Sequence, residues 1–113
     1  DALMRELAAS YEAGDAQRFA AQFSEDAQTT DASGRAAIRA LYHEFFARPE
    51  SRRMRFHRLR WDDDGPWRSR GTGRAELATT PFDGSAAASG VLQLSIVVEQ
   101  SPQGPWITGL HYQ

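Results

Sequence analysis

The sequence predicts an α+β domain in which three N-terminal helices pack on a curved antiparallel β-sheet. Two observations carry this. Up to Pro49 the apolar residues recur every three or four positions, and beyond it they alternate with a period near two. The two patterns are also segregated along the chain, helices first and strands after, which argues against alternating α/β units. The length of 113 residues suits one domain and one core, expected to span 1–113.

The first helix is read over Ala2 to Ala13, where Leu3, Leu7 and Tyr11 recur every four residues. Gly14 stops it, because glycine enters the left-handed region without a Cβ clash. Asp15 is an N-cap for a short second helix carrying Phe19 and Phe23. Ser24 to Asp26 reads as a turn and Gln28 to Thr30 as a short extended piece. The third helix is the best determined. Ile38, Leu41, Tyr42, Phe45 and Phe46 form one stripe, Asp31 or Ser33 would cap its start, and Pro49 closes it. Strands follow at Arg53 to Trp61, Trp67 to Thr79, Val91 to Gln100 and Trp106 to Tyr112, and Asp62 to Pro66 is a turn between the first two.

The composition excludes several classes. There is no Cys, which removes disulfides, thiolate catalysis and Cys-held zinc, and leaves the compartment open between cytoplasm and periplasm. No apolar run approaches the roughly 20 residues of a membrane span. The net charge is -2, so no global field favours nucleic acid. All 13 basic residues are Arg, a bias expected of a GC-rich bacterial genome. The chain starts at Asp1 without an initiator Met, so a processed protein or a domain excised from a larger one is expected.

The run Tyr11-Glu-Ala-Gly-Asp-Ala-Gln-Arg-Phe19, then Phe23-Ser-Glu-Asp-Ala27, then Ser33-Gly-Arg-Ala-Ala-Ile-Arg-Ala-Leu-Tyr42 with Phe45-Phe46, resembles the nuclear transport factor 2-like (NTF2-like, also SnoaL-like) superfamily over the first 46 residues. The resemblance implies a cone-shaped, cystatin-like roll, with helices closing a sheet around a pocket, and frequent homodimers. It also implies a range of functions, from ketosteroid isomerase and polyketide cyclases to non-catalytic domains, so fold alone does not give function. The position of the isomerase's general base falls on Asp31, which could take a proton next to a carbonyl or simply cap the third helix. The isomerase's two hydrogen-bond donors would fall on Leu7 and Ile96, which cannot donate, so steroid isomerisation is not expected.

Three histidines are the other polar candidates. His43 lies off the apolar stripe and is read as exposed. A hairpin symmetric about Asp64 sets Trp61 opposite Trp67 and Arg58 opposite Arg70. It puts His57 and Trp61 on the interior face, where His57 is either a pocket base or a buried, satisfied histidine. His111 alternates with Ile107 and Gly109, the face the resemblance turns toward the pocket. No pair has the spacing of a metal site, and no metal or cofactor is expected.

The same register gathers Arg58, Arg60, Arg68 and Arg70 on the opposite face. Like charges side by side on a sheet repel. Their reading is open between local neutralisation by Asp62, Asp63, Asp64 and Glu76, an acidic protein partner, a small anion and, least favoured, nucleic acid. Met54 and Phe56 would sit at the end of this face, unless a β-bulge near His57 returns them to the core.

The expected function is a non-catalytic ligand- or partner-binding domain, a sensory or assembly module, with a homodimer through the outer sheet face. Its pocket is expected to be lined by Tyr11, Phe19, Asp31, Tyr42, Phe46, His57, Trp61 and His111, with Leu94 and Ile96 as an apolar wall, and to take a small hydrophobic molecule. The alternative is a small isomerase, cyclase or hydrolase with Asp31 as base and His57 or His111 as its partner.

Overall fold

Residues 2–113 are described by a computed structural model. Helix α1 (Ala2–Ala13) buries Met4, Leu7 and Tyr11. Gly14, at φ 67°, turns the chain, and the Asp15 side chain accepts from the Arg18 N–H at 3.0 Å to start α2 (Ala16–Ala20). Strand β1 (Phe23–Thr29) follows, so the segment read as a turn at Ser24 to Asp26 is extended. Helix α3 (Arg35–Phe46) comes next. Then come the long strands β2 (Glu50–Asp63), β3 (Arg68–Pro81) and β4 (Ala88–Ser101), and a shorter β5 (Gly104–Tyr112).

The five strands form one sheet in the order β1-β5-β4-β3-β2. Four run antiparallel in sequence, but β1 pairs in parallel with β5, so the sheet is mixed rather than wholly antiparallel. The core lies between the helices and one face of the sheet. There Leu7, Phe19, Phe23, Ile38, Ile96 and Ile107 are almost completely buried.

Helix α3 is held at both ends in ways the sequence does not announce. Gly34, at φ 90°, occupies the N-cap and no side chain caps the helix, so neither Asp31 nor Ser33 plays that part. At the other end Arg52 of β2 donates from Nη2 to the carbonyls of Phe45, Phe46 and Arg48 at 3.4, 3.0 and 2.9 Å. Phe45 and Phe46 are in the last turn of the helix, where carbonyls lack intrahelical partners, and the cation also meets the negative end of the helix dipole. The same guanidinium lies over the rings of Phe45 and Phe46.

Two β-bulges decide which side chains face the helices. In β2 the register slips between His57 and Arg60, and Arg58 takes φ 56°. The hairpin is also centred nearer Pro66 than Asp64, since Asp63 pairs with Ser69 and the Asp64 N–H bonds the Arg68 carbonyl. Trp61 therefore lies opposite Gly71, not Trp67, and Arg70 opposite Asp62, not Arg58. Beyond the bulge the alternation is reversed. Met54 and Phe56 pack against the core, and His57 pairs with Arg74 on the outer face. The second bulge lies in β5, where Ile107 pairs with Val98 and Gly109 with Val97, leaving Thr108 as the extra residue.

Gly73 makes the first bulge sterically feasible. A Cβ there would lie 2.8 Å from the Arg58 carbonyl oxygen and 2.9 Å from that of His57, and backbone atoms cannot move aside cheaply. Gly73→Ala is expected to destabilise the fold by about 1–3 kcal/mol, measured by urea denaturation. An unchanged midpoint would mean that the bulge does not need this close approach.

Candidate functional site

A cavity of about 230 Å³ opens between α3 and the inner face of the sheet. One wall is Leu41, Tyr42 and Phe45 of α3. The other is Met54 and Phe56 of β2, Ala75 and Leu77 of β3, Leu92 and Leu94 of β4, and Leu110 and Tyr112 of β5. Leu7, Tyr11 and Phe19 form the back, and Asp31 lies at the exposed edge. The cavity exists because α3 packs on α2 and β1, leaving its apolar stripe only partly covered. Ile38 is fully buried, whereas Leu41 remains 36% exposed.

The polar chemistry is concentrated at one end. The Tyr112 hydroxyl donates to Asp31 Oδ2 at 2.6 Å, a short bond of the kind formed with an ionised acceptor. Both partners are fixed by the parallel seam. The Thr30 N–H bonds the Leu110 carbonyl, and the Thr30 hydroxyl accepts from the Tyr112 N–H at 2.9 Å. Thr29 Oγ1 accepts from the Asp31 and Ala32 N–H groups, forming the tight turn that aims Asp31 at β5.

Burial keeps the three tyrosines neutral. It pushes the Tyr11 hydroxyl up to about 12 and raises Tyr42. Burial, and then donation to Asp31, holds Tyr112 far above the ordinary tyrosine value. Tyr42 lies close enough to Tyr112 for each to influence the other. The site thus combines an apolar slot, a carboxylate at its edge and neutral phenols as donors. Among the described residues no group of three His, Asp or Glu side chains is arranged to hold a metal ion.

Of the residues proposed from sequence, Tyr11, Phe19, Asp31, Tyr42 and Leu94 come together here. Phe46 packs edge-on against Tyr11 and Phe19, behind the wall. Ile96 is fully buried in the sheet core. Trp61 is on the inner face but at the far end, in a hollow with Leu3 and Val98. Neither histidine reaches Asp31. The β2 bulge turns His57 outward, 3.5 Å from Glu76, and the β5 bulge turns His111 outward beside Ser95. His43 is exposed.

The proposed arginine row is also broken. Arg68 and Arg70 lie within 4.0 Å of Asp64 or Glu99, Arg60 lies opposite Thr72, and Arg58 sits in the bulge. Sequence reading missed Tyr112, Phe45, Leu110 and Leu77 as lining residues, whereas Met54 and Phe56 follow the alternative in which a bulge near His57 returns them to the core. The signal for Leu110 and Tyr112 was present as an apolar alternation, but out of phase with Ile107 across the bulge.

No family profile matches the sequence, and no curated protein matches it. Solved structures do match the fold. ActVI-ORFA from Streptomyces coelicolor has a TM-score of 0.86 at 19% identity, over 98% of this chain and 91% of that one. A protein assigned as a dehydratase of the NTF2-like family, from Streptomyces avermitilis, has a TM-score of 0.83 at 13% identity, over 98% and 90%. This chain has the NTF2-like fold. A third match, from Catenulispora acidiphila, was solved in complex with S-DNPA; its TM-score is 0.82 at 22% identity, over 98% and 88%. No helix among the described residues is long and apolar enough to cross a membrane.

The raised tyrosines give a signed pH dependence. Above pH about 10 an unfolded tyrosine loses its proton while the folded one keeps it, so the unfolded state binds fewer protons and stability falls as pH rises. Stability is expected to be intact below pH about 10 and to decline toward 12. Tyrosinate absorbance should appear together with loss of the circular dichroism signal. Ionisation of all three tyrosines near pH 10 in the folded chain would contradict the burial described here.

Proposed function

We propose that this chain is a binding module for a small, largely apolar molecule carrying one polar group. The observation that carries this is the apolar slot with Asp31 and Tyr112 at one end. At about 230 Å³ it is smaller than the roughly 300–1,000 Å³ of drug-sized sites, which favours ligands of one or two rings. An apolar body between Phe45 and Leu94 supplies the affinity by burial. A hydroxyl or N–H directed at Asp31 supplies the orientation, through a hydrogen bond to a charged group.

The test uses 2-naphthol and naphthalene as probes, followed by amide chemical shifts. Both are expected to shift Leu94, Leu110 and Tyr112 saturably, and 2-naphthol to bind more tightly by about tenfold, the value of one bond to a carboxylate. Asp31→Asn should remove that preference and leave naphthalene binding unchanged. Leu92→Trp should fill the slot and abolish both. Absence of saturation by either probe at about 1 mM would refute the reading.

A second reading is favoured by the Asp31–Tyr112 contact. Here the domain is a small enzyme in which Asp31 takes a proton from a bound carbonyl compound. Its partner would be Tyr112, not His57 or His111. Neighbours of this fold include a protein named as a dehydratase, which makes proton transfer chemically apt. Exchange of the α-protons of 2-tetralone into deuterated water separates the two readings. Catalysed exchange that is lost in Asp31→Asn supports the enzyme, and an uncatalysed rate leaves the binding module.

Self-association through the outer sheet face belongs to the same proposal. Arg53 and Arg55 lie near one end of β2, and Asp62 near the other. A two-fold partner would set each end against its opposite. Sedimentation velocity should show a salt-sensitive dimer, and a monomer at all concentrations would exclude it.

A further inference from the structure

The β2 bulge creates a second hollow, on the surface away from the cavity. It is lined by Phe56, His57, Arg58, Arg74 and Val91. Three of these five residues are cationic or can become so. Of these three, only His57 has an ion-pair partner among the described residues, Glu76 at 3.5 Å. Glu76 also lies directly opposite Arg55 across the strands, so its charge is shared. Arg58 and Arg74 have no carboxylate partner among the described residues. Arg68 and Arg70, further along the sheet, do have such partners. Among the described residues Arg58 and Arg74 are thus unpaired side by side at the hollow, as Arg53, Arg55 and Arg60 are elsewhere on the sheet.

The residue at the bend is itself informative. Arg58 is the one non-glycine residue with positive φ among the described residues, at 56°. A glycine would make that bend without the cost of order 1 kcal/mol that a Cβ carries there. The backbone geometry therefore does not explain an arginine at this position, and strain of this kind concentrates where a side chain has a task. Beside the cations, Val91 is 56% exposed, so the hollow also has an apolar margin. A guanidinium fork matches the paired oxygens of a phosphate or carboxylate.

We propose that the hollow at the β2 bulge binds an amphipathic small anion, its phosphate or carboxylate held by Arg58 and Arg74 and its apolar part lying on Val91. The site is independent of the cavity, because it opens on the outer face and shares only Phe56 with it.

Phenyl phosphate, inorganic phosphate, benzoate and phenol serve as probes, titrated at low salt with amide chemical shifts as readout. Phenyl phosphate and benzoate are expected to shift His57, Arg74 and Val91 saturably. Inorganic phosphate should do so more weakly, and phenol not at all. Arg58→Gly and Arg74→Gln should each weaken phenyl phosphate binding by about tenfold, as expected for loss of a charged hydrogen-bonding partner. Arg58→Gly suits the positive φ and should not lower stability, so it keeps the test meaningful if Arg74→Gln folds poorly. Binding should also weaken as salt rises toward about 0.15 M.

Three results would overturn the site. They are no saturation at about 10 mM, affinities unchanged in Arg58→Gly, or shifts confined to Tyr42, Leu94 and Tyr112, which would put the aryl group in the cavity. Binding of phosphate and phenyl phosphate but not benzoate would restrict the class to phosphates and still support the proposal.

Discussion

The bulge at Arg58 is the constraint on which the inner architecture turns. A strand has a period of two, so one extra residue reverses every side chain beyond it. Here the reversal sends Met54 and Phe56 inward to meet α3 across the cavity and sends His57 outward. Without it the lower half of β2 would offer arginine and histidine to an apolar core, at the cost of burying charge. The bulge in turn depends on Gly73, whose missing side chain lets two backbone carbonyls approach. One glycine on β3 thus sets the polarity of a wall on β2.

The second organising contact is the pairing of Asp31 with Tyr112. It sits where the parallel seam between β1 and β5 ends, and the backbone bonds of Thr30 hold both residues in register. A carboxylate at the edge of an apolar slot is costly unless it has a donor, and Tyr112 is that donor. Burial, and then the same bond, keeps Tyr112 neutral. Behind them, α3 is anchored by Arg52 rather than by its own sequence. The helix can therefore leave part of its stripe unpacked without drifting onto the sheet.

The helices and their faces were legible because a 3.6-residue period is robust to single-residue irregularities. Ile38, Tyr42, Phe19 and Tyr11 lie where the stripe predicted, and Asp31 followed from the family resemblance, which puts the isomerase's base at that position. Four of the five strands were legible as elements and in order, whereas β1 was read only as a turn and a short extended piece. Their faces were not, because alternation carries no memory across a bulge. His57 and His111 were assigned inward by unbroken alternation, and each lies just beyond an extra residue, one near Arg58 and one at Thr108. Tyr112 was missed for the same reason. The hairpin centre near Pro66 was hidden by the acidic run Asp62 to Asp64, which reads as the turn itself. The Arg52 cap was not legible at all, since it joins elements whose approach only the tertiary structure defines.

The parallel pairing of β1 with β5 also bears on how the molecule comes into being. Asp31 and Tyr112 are 81 positions apart, and the strand that unites them is the last element described. During synthesis β1 must wait, one edge unsatisfied, until β5 has emerged and inserted between it and β4. The hairpins of β2, β3 and β4 can form earlier, from contacts close in sequence. The cavity is therefore completed at the end of folding, and a chain still lacking β5 would have its helices and central sheet before Leu110 and Tyr112 closed that wall.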